Sequence, residues 1–332
     1  EAYIVGGCVR DLILEREVKD WDVTTNAKPD NVMSVFPDSF YENEFGTVGV
    51  KVEKFSHDNN GSDEHDVIEV TTYRIESKYS DKRHPDEVKF AKTLNEDLGR
   101  RDFTMNALAL KVQNGGKYKI IDLFDGQKDI KNKIIRAVGD PNERFSEDAL
   151  RMMRAVRFHA QLGFTIEERT FESIKNNAKY LEYIACERIK DELEKIILSK
   201  YSSEGVGMLC DTGLLRYIIP ELEKSVGVKQ NRHHIYTIYQ HSILSLKHCL
   251  SSKIEVRLAA LFHDIAKPQT KRGEGFYATF YNHGHMGARI AGKILEQSIE
   301  WFKVGRYSFE AGFLVAPLRA MMLCVVTLVG LL

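Results

Sequence analysis

The stretch GGCVRD, residues 6–11, is followed closely by KDWDVTT, residues 19–25, and together the two stretches decide the fold. In an extended strand, side chains two residues apart project on the same face. Asp20 and Asp22 are therefore predicted to lie side by side, with Trp21 on the buried face. Ionised carboxylates that close repel each other, and a protein keeps them where a divalent cation, usually Mg²⁺, compensates their charge. On its own, however, such a pair is more often two solvated aspartates at a strand entrance.

The turn before this pair adds groups that suit a phosphate. The glycines permit close backbone approach, and a helix that begins near Gly7 directs its first amides toward an anion. Arg10 could bind phosphate oxygens with its forked guanidinium. A tight turn alone would explain the glycines. The combination instead favours a triphosphate beside a metal pair, the arrangement of two-metal nucleotidyl or phosphoryl transfer.

Composition excludes some classes of protein. The chain has 332 residues, enough for two or three domains, with 43% hydrophobic and 29% charged residues as in soluble globular proteins. Its formal net charge is -1, so contacts with nucleic acid must come from local patches. The five cysteines form no CxxC pair, which favours reduced thiols and a cytoplasmic location.

The two ends of the chain are unusual. Residues 313–332 form an apolar run with one charge, Arg319, about as long as a membrane span. Pro317 and the polar body before the run favour a buried terminal helix or a foreign or truncated tail, so no membrane association is expected. The chain begins at Glu1, directly before a predicted strand, so we expect that an N-terminal segment is missing.

The hydrophobic pattern changes along the chain. The first 125 residues or so alternate short β-type runs with turns and helices, as in GTVGVKV, residues 46–52, and DVIEVTTYR, residues 66–74. From Asp129 onward the period of 3.6 residues dominates. The pattern predicts an α/β head followed by an all-helical body.

Three motifs, in this order, carry a resemblance to a known family. They are GGCVRD with DWD, RRDFTMNALAL at residues 100–110, and RFSEDALRMMRAVRF at residues 144–158. They resemble the class II tRNA nucleotidyltransferases and bacterial poly(A) polymerases, most closely bacterial CCA-adding enzymes with a C-terminal HD domain. The resemblance implies an α+β head of the DNA polymerase β nucleotidyltransferase type, with a mixed sheet and flanking helices. An all-helical neck and body and an HD-like helical segment would follow.

The resemblance also implies domain boundaries and residue roles. The expected parts are a head at 1–126, a neck at 127–200, a body or linker at 201–232, an incomplete HD-like domain at 233–297 and a tail at 298–332. In the head, Asp20 and Asp22 would bind two Mg²⁺ ions, and the nucleotide would contact Gly7, Arg10, Arg101, Asp102 and Asn106. Asp102 would bind the ribose 2′-hydroxyl, because a carboxylate can accept a hydrogen bond from a hydroxyl. Without the resemblance, Arg101 and Asp102 would pass for an ordinary surface ion pair.

The third motif is predicted to form one helix with Ser146 as its N-cap and Glu147 in its first turn. Its arginines recur every three residues as Arg151, Arg154 and Arg157. Asp148 and Arg151 are three apart and therefore neighbours on the helix surface. A capped amphipathic helix with a salt bridge would explain this pattern equally well.

A carboxylate beside an arginine can also select a base. The carboxylate accepts from the exocyclic amine of cytosine or adenine, and the arginine donates to the adjacent ring nitrogen or carbonyl oxygen. Guanine and uracil place a carbonyl opposite the carboxylate and leave polar groups unpaired. The resemblance assigns base selection to Asp148 and Arg151, with Glu147 orienting the arginine and Arg154 and Arg157 nearer the phosphates.

Two further segments, YQHSILSLKH and LAALFHDIAKP, resemble the metal-dependent HD phosphohydrolases. His241, His263 and Asp264 would be the first three ligands of another divalent metal. That superfamily needs a further aspartate downstream, and Asp264 is the last aspartate of this chain. His283 and His285 are the alternatives for the missing ligand.

The function expected from these motifs is template-independent addition of C and A to the 3′ end of tRNA, from CTP and ATP. No aromatic-rich RNA motif is present, so tRNA shape and backbone would be recognised. Two alternatives remain open, a poly(A) polymerase of the same family and a metal-dependent HD phosphohydrolase.

Overall fold

The computed structural model describes residues 1–18, 20–43, 46–53, 66–77, 87–113, 115–232, 234–297, 303–304 and 307–308. The chain divides into two compact units. The first consists of Glu1–Arg151 and Thr165–Ser173, and the second of Met152–Phe164 and the residues from Ile174 onward. The expected domain boundaries stay a prediction, and the apolar run at 313–332 lies outside the described residues. Among the described helices, none combines the length and apolar character that a membrane crossing needs.

The first unit is built on a seven-stranded sheet. Its strands are β1 (Ala2–Val5), β2 (Asp22–Thr25), β3 (Ser39–Asn43), β4 (Thr47–Val52), β5 (Asp66–Thr72), β8 (Leu108–Val112) and β9 (Tyr118–Asp122). Between β5 and β8, the strands β6 (Arg74–Ser77) and β7 (Glu87–Phe90) form a separate pair. The strand order is β3-β4-β5-β2-β1-β8-β9. Strands β2 and β5 run parallel, and the other neighbours are antiparallel. The expected mixed sheet is therefore confirmed.

Five helices accompany this sheet: α1 (Gly7–Ile13), α2 (Pro29–Val35), α3 (Leu94–Gly99), α4 (Gly126–Asn132) and α5 (Pro141–Glu147). Local sequence explains where several of them begin. Proline occupies the first helical position of α2 and α5, where its missing N–H costs nothing. Helix α3 begins with a capping box, in which the Thr93 hydroxyl accepts from the Glu96 amide and the Glu96 carboxylate accepts from the Thr93 amide.

The two faces of the sheet are covered differently. On one face, α2 contributes to a core formed by Val32, Val48, Val50 and Val70. On the other face, α3 covers the β1 end, with a core of Tyr3, Val5, Tyr73, Ala91, Leu98 and Ala109. Asp22 and Glu69 lie beyond that cover, since Asp22 is half-buried and Glu69 is exposed. This face is therefore accessible from β2 toward β3.

The second unit is helical, as expected. Helices α6 (Leu150–Leu162) and α7 (Glu168–Asn177) begin in the first unit and end in the second. The others are α8 (Cys186–Ile197), α9 (Ser202–Asp211), α10 (Leu215–Ile218), α11 (Pro220–Glu223), α12 (Ile238–Lys247), α13 (Ile254–Phe262), α14 (Lys267–Thr270) and α15 (His283–Gln297). A short parallel pair of β10 (Ile134–Ile135) and β11 (Thr165–Ile166) belongs to the first unit, and an antiparallel pair of β12 (Lys303–Val304) and β13 (Tyr307–Ser308) belongs to the second. Gly205 lets α9 lie close to α6 and α8, because a Cβ there would stand 2.7 Å from the Ala160 Cβ.

The structure corrects two local expectations. Strand β2 begins at Asp22, so Asp20 precedes the strand, and Trp21 is half-buried rather than buried. Ser146 is not an N-cap, because it lies in the last turn of α5 and its hydroxyl donates to the Glu143 carbonyl. The break between α5 and α6 falls at Asp148, whose extended backbone cannot continue a helix.

Candidate active site

Carboxylates gather on the accessible face of the sheet. Asp22 on β2 and Glu69 on β5 are Cα partners in the parallel pair, so their side chains share one face. Burial raises the pKa of Asp22, and the charge of Asp20 raises it further against the opposing effect of Arg101. Burial also raises the pKa of Glu69, as do the charges of Glu42, Asp22 and Asp20. Such concentrated negative charge on oxygen ligands fits a divalent cation.

Arg101 flanks Asp22 on the side of β1. A Cβ atom on Gly6 would stand 2.9 Å from Nη1 of Arg101 and 3.4 Å from Oδ2 of Asp22, so both side chains lie close to this glycine. Gly6 also has φ +83°, which favours glycine. The Nε of Arg101 is buried and has no hydrogen-bond partner among the described residues. Since 18% of the Arg101 side chain is exposed, the rest of its guanidinium can contact an anion bound beside Asp22.

The predicted nucleotide-binding residues of the head are joined by hydrogen bonds. Arg10 Nη1 donates to Asn106 Oδ1 at 2.8 Å, and Asn106 Nδ2 donates to Asp102 Oδ1 at 3.2 Å. Arg10 also bonds both carboxylate oxygens of Asp11, through Nε at 3.0 Å and Nη2 at 2.8 Å. In this structure the guanidinium fork therefore holds Asp11, and triphosphate binding by Arg10 and the neighbouring Gly7 stays a prediction.

Asp97 anchors the arginines of the second motif. Its side chain is fully buried and accepts from Arg100 Nη2 at 2.9 Å, from Arg101 Nη2 at 3.5 Å and from the Thr24 hydroxyl at 3.3 Å. Burial alone would raise the pKa of Asp97, but the two guanidinium groups outweigh it and the pKa is lowered. The carboxylate is therefore ionised and positions Arg101 beside Asp22.

The predicted base-selecting residues lie where α5 ends and α6 begins. The Asp148 carboxylate accepts from the Leu150 amide at 3.0 Å and so caps α6. Glu147 contacts Arg151 Nη1 and Arg144 Nη2, each at 2.6 Å. Arg151 Nη2 also donates to the Arg100 carbonyl at 3.2 Å. Glu147 and backbone carbonyls thus hold Arg151 in one orientation, while its role in base selection stays a prediction.

The other two arginines of this motif lie in the second unit. Arg157 Nη1 donates to Glu192 Oε1 on α8 at 2.8 Å, and Glu192 is buried. The guanidiniums of Arg154 and Arg157 also lie over the Phe158 ring, 5.6 Å and 4.6 Å from its centroid. These contacts give both arginines a structural role, and their expected position near the phosphates stays a prediction.

The HD-like segment brings its predicted ligands together. One ligand atom from each of His241, His263 and Asp264 lies within 4.8 Å of the other two. The Nε2 atoms of the two imidazoles are 2.9 Å apart, and His263 Nε2 is 3.2 Å from Asp264 Oδ2. His263 Nδ1 lies 2.9 Å from the Ala260 carbonyl, so this ring can donate there and leave Nε2 free for a metal. The donor set fits a divalent metal.

Other groups complete the surroundings of this cluster. His283 Nε2 lies 3.7 Å from Asp264 Oδ1, whereas His285 is exposed. The Lys267 ammonium is 2.7 Å from Asp264 Oδ2 and supplies one positive charge. Burial lowers the pKa of His241 to about 4, and the charge of His263 lowers it too, so the imidazole is neutral at pH 7. Neutral imidazole is the form that binds metals.

The sequence analysis assigned no role to Glu69, Asp97 or Glu192, and it considered Gly6 only as one of a glycine pair. Glu69 left a signal, because it is the one acidic residue in the strand run VIEVTT. Gly6 stood in the glycine pair, but only the structure shows that it, and not Gly7, meets Arg101 and Asp22. Glu192 had no local signal among the many charges of its helix.

Three family models match the chain in succession. That for the Poly A polymerase head domain matches residues 2–136. That for the "Probable RNA and SrmB- binding site of polymerase A" matches residues 163–225, and that for the HD domain matches residues 238–311. The head-domain family and the HD-domain family both depend on metals, in agreement with the carboxylates on the sheet and with the cluster of His241, His263 and Asp264.

Known proteins resemble the chain in sequence and fold. A CCA-adding enzyme of Geobacillus sp. (strain WCH70) is 48% identical over 219 residues, 66% of this chain and 50% of that protein. One of Limosilactobacillus reuteri is 48% identical over 226 residues, 68% of this chain and 52% of that protein. The chain thus spans about half the length of the curated relatives it matches.

Solved structures resemble the chain over nearly all its length. The structure of a Bacillus stearothermophilus CCA-adding enzyme in complex with CTP matches 98% of this chain and 89% of the enzyme's chain, with 28% identity and TM-score 0.55. A Thermotoga maritima CCA-adding enzyme complexed with tRNA covers 99% and 67%, with 20% identity and TM-score 0.61, and shows the fold alone. These similarities confirm the expected fold class.

Proposed function

Because the chain belongs to the family of CCA-adding enzymes and bacterial poly(A) polymerases, we propose that it adds C and A to the 3′ end of tRNA from CTP and ATP. The observation that carries this proposal is the row of carboxylates Asp20, Asp22 and Glu69 beside Arg101. The curated CCA-adding enzymes at 48% identity and the relative solved with CTP support this choice of substrates. The reaction would take place in the cytoplasm.

The chain's own residues supply position and charge. Asp20, Asp22 and Glu69 would hold Mg²⁺, which when bound neutralises the α-phosphate and lowers the pKa of the attacking hydroxyl. Arg101 would bind the triphosphate through its partly exposed guanidinium. Asp102, held by Asn106, would bind the ribose 2′-hydroxyl. The tRNA 3′-hydroxyl would then attack the α-phosphate and expel pyrophosphate without a covalent enzyme intermediate.

Nucleotide preference separates this function from that of a poly(A) polymerase. The test supplies tRNA that lacks its CCA end with Mg²⁺ and either CTP or ATP. A CCA-adding enzyme incorporates C first and A afterwards, whereas a poly(A) polymerase extends with ATP alone. The expected base selection follows from the carboxylate of Asp148 and the oriented guanidinium of Arg151.

The His241, His263 and Asp264 cluster favours a second candidate function. We infer that it binds a divalent metal and gives the HD-like segment phosphohydrolase activity. The test measures bound metal and hydrolysis of bis(p-nitrophenyl) phosphate by the Asp264→Asn and Asp22→Asn variants. Loss of hydrolysis is expected in Asp264→Asn alone, and each variant should lose the metal bound at its own site. Hydrolysis unaffected by Asp264→Asn would rule out this cluster as its site.

A further inference from the structure

An exposed aromatic ring lies in the same row of side chains as the carboxylates. Phe40 on β3 is the Cα partner of Gly49 on β4, and Gly49 is the partner of Glu69 on β5, which in turn pairs with Asp22. Residues directly opposite each other in a sheet project on the same face. Phe40, with 40% of its surface exposed, therefore shares the accessible face with Glu69 and Asp22.

Gly49 brings the Phe40 ring toward the carboxylates. A Cβ on Gly49 would stand 2.5 Å from Cζ of Phe40 and 2.9 Å from both Cε atoms. The ring thus occupies the space that a side chain on β4 would fill, and it lies next to Glu69 across one strand. Glycine inside a strand weakens the strand and often marks a close approach of this kind.

The side from which RNA must arrive follows from the reaction. In phosphoryl transfer, the attacking and leaving oxygens lie roughly in line on opposite sides of phosphorus. In the proposed function Gly6 and Arg101, which meet beside Asp22, would place the triphosphate, and hence the leaving pyrophosphate, on the β1 side of Asp22. The attacking hydroxyl must then approach over β5 and β4, where Glu69 and the Phe40 ring lie.

We propose that Phe40 binds the 3′-terminal nucleotide of the RNA by stacking on its base, so that the 3′-hydroxyl faces the α-phosphate. This inference rests on the proposed function. The neighbouring Glu42 and Glu69 are acidic and repel phosphates, so beside them the Phe40 ring offers RNA a contact with a base rather than with a phosphate. Stacking tolerates any base, which suits an enzyme whose primer ends in a different nucleotide after each addition.

The test is steady-state kinetics of Phe40→Ala and Phe40→Tyr with tRNA that lacks CCA. In Phe40→Ala, KM for tRNA should rise about 5- to 100-fold, the range of losing one stacked base. KM for CTP and kcat should change less than about threefold, and Phe40→Tyr should resemble the wild type. Tyr41→Ala is the matched control, since Tyr41 is 48% exposed and its partner Val48 lies on the opposite face.

Two measurements separate binding from a structural role of the ring. The Phe40→Leu variant still covers Gly49 but has no aromatic face, so its KM for tRNA should rise as in Phe40→Ala. A KM for tRNA within about twofold of wild type in folded Phe40→Leu or Phe40→Ala would overturn the inference while leaving the proposed function intact. Wild-type protein that extends no RNA would overturn both.

Discussion

Asp22 and Glu69 are 47 residues apart in sequence yet face each other on neighbouring parallel strands, as Cα partners of β2 and β5. Burial raises the pKa of both carboxyls, and nearby acidic charge adds to this, from Asp20 at Asp22 and from Glu42, Asp22 and Asp20 at Glu69. A bound divalent cation would therefore reduce the electrostatic repulsion between the ionised carboxylates of this pair.

Replacing either carboxylate should slow catalysis without unfolding the protein. Asp22→Asn should lower kcat by at least about 10³-fold, and Glu69→Gln by about 10-fold or more, because each loses charge at the metal. Single-turnover incorporation of CTP with increasing Mg²⁺ measures both effects. Asp66→Asn, on β5 but with its side chain on the opposite face, is the control and should stay within about twofold of wild type. Full activity in Asp22→Asn would refute the metal assignment.

Adding one methyl group at Gly6 should impair the site. Gly6→Ala places a Cβ 2.9 Å from Arg101 Nη1 and forces alanine to φ +83°, so kcat/KM for CTP should fall at least about tenfold. Gly116→Ala is a matched control, because it has φ +75° with no atom within 4 Å and carries the backbone strain alone. Equal losses in the two variants would show that strain, and not contact with Arg101, is responsible.

Glu147 should control the choice of base through Arg151. Its carboxylate contacts Arg151 Nη1 at 2.6 Å, so Glu147→Ala should free the guanidinium and weaken selection against UTP and GTP by about 10- to 100-fold. The ratio of kcat/KM values for CTP and UTP measures this effect. Arg169→Ala removes an exposed arginine bound to Asp140 and should leave the ratio unchanged. Unaltered selection in Glu147→Ala would contradict the positioning role.

Asp97 should stabilise the first unit in a pH-dependent way. Asp97→Ala leaves two guanidiniums without their carboxylate and should cost about 3–5 kcal/mol of unfolding free energy. Because the pKa of Asp97 is lowered in the folded state, its contribution is complete above the unfolded pKa of about 3.9 and is lost as the pH falls through the folded value. Urea unfolding, followed by Trp21 fluorescence in a Trp301→Phe background, measures the difference. A difference that grew on acidification would refute this account.

The amount that the sequence could predict differed between local and long-range features. Asp22 was singled out by the spacing of the DWD pair, whereas Asp102 and Arg151 received their roles only from the family resemblance of their motifs, and these roles stay predictions. Glu69 was not singled out, since its position beside Asp22 depends on parallel pairing across 47 residues, which no local pattern encodes. The cap at Ser146 was misassigned because Ser146 and Asp148 are both good N-caps, and only tertiary packing decides where the chain bends.

The measurement that tests the central claim most directly is the extension of three tRNAs, ending before the CCA sequence, after its first C or after its second C. Each is incubated with Mg²⁺ and one nucleoside triphosphate at a time, and the products are separated at single-nucleotide resolution. We predict that CTP extends the first two, that ATP extends the third by one residue, and that UTP and GTP extend none. Addition of long A tails to all three, with no use of CTP, would contradict this prediction.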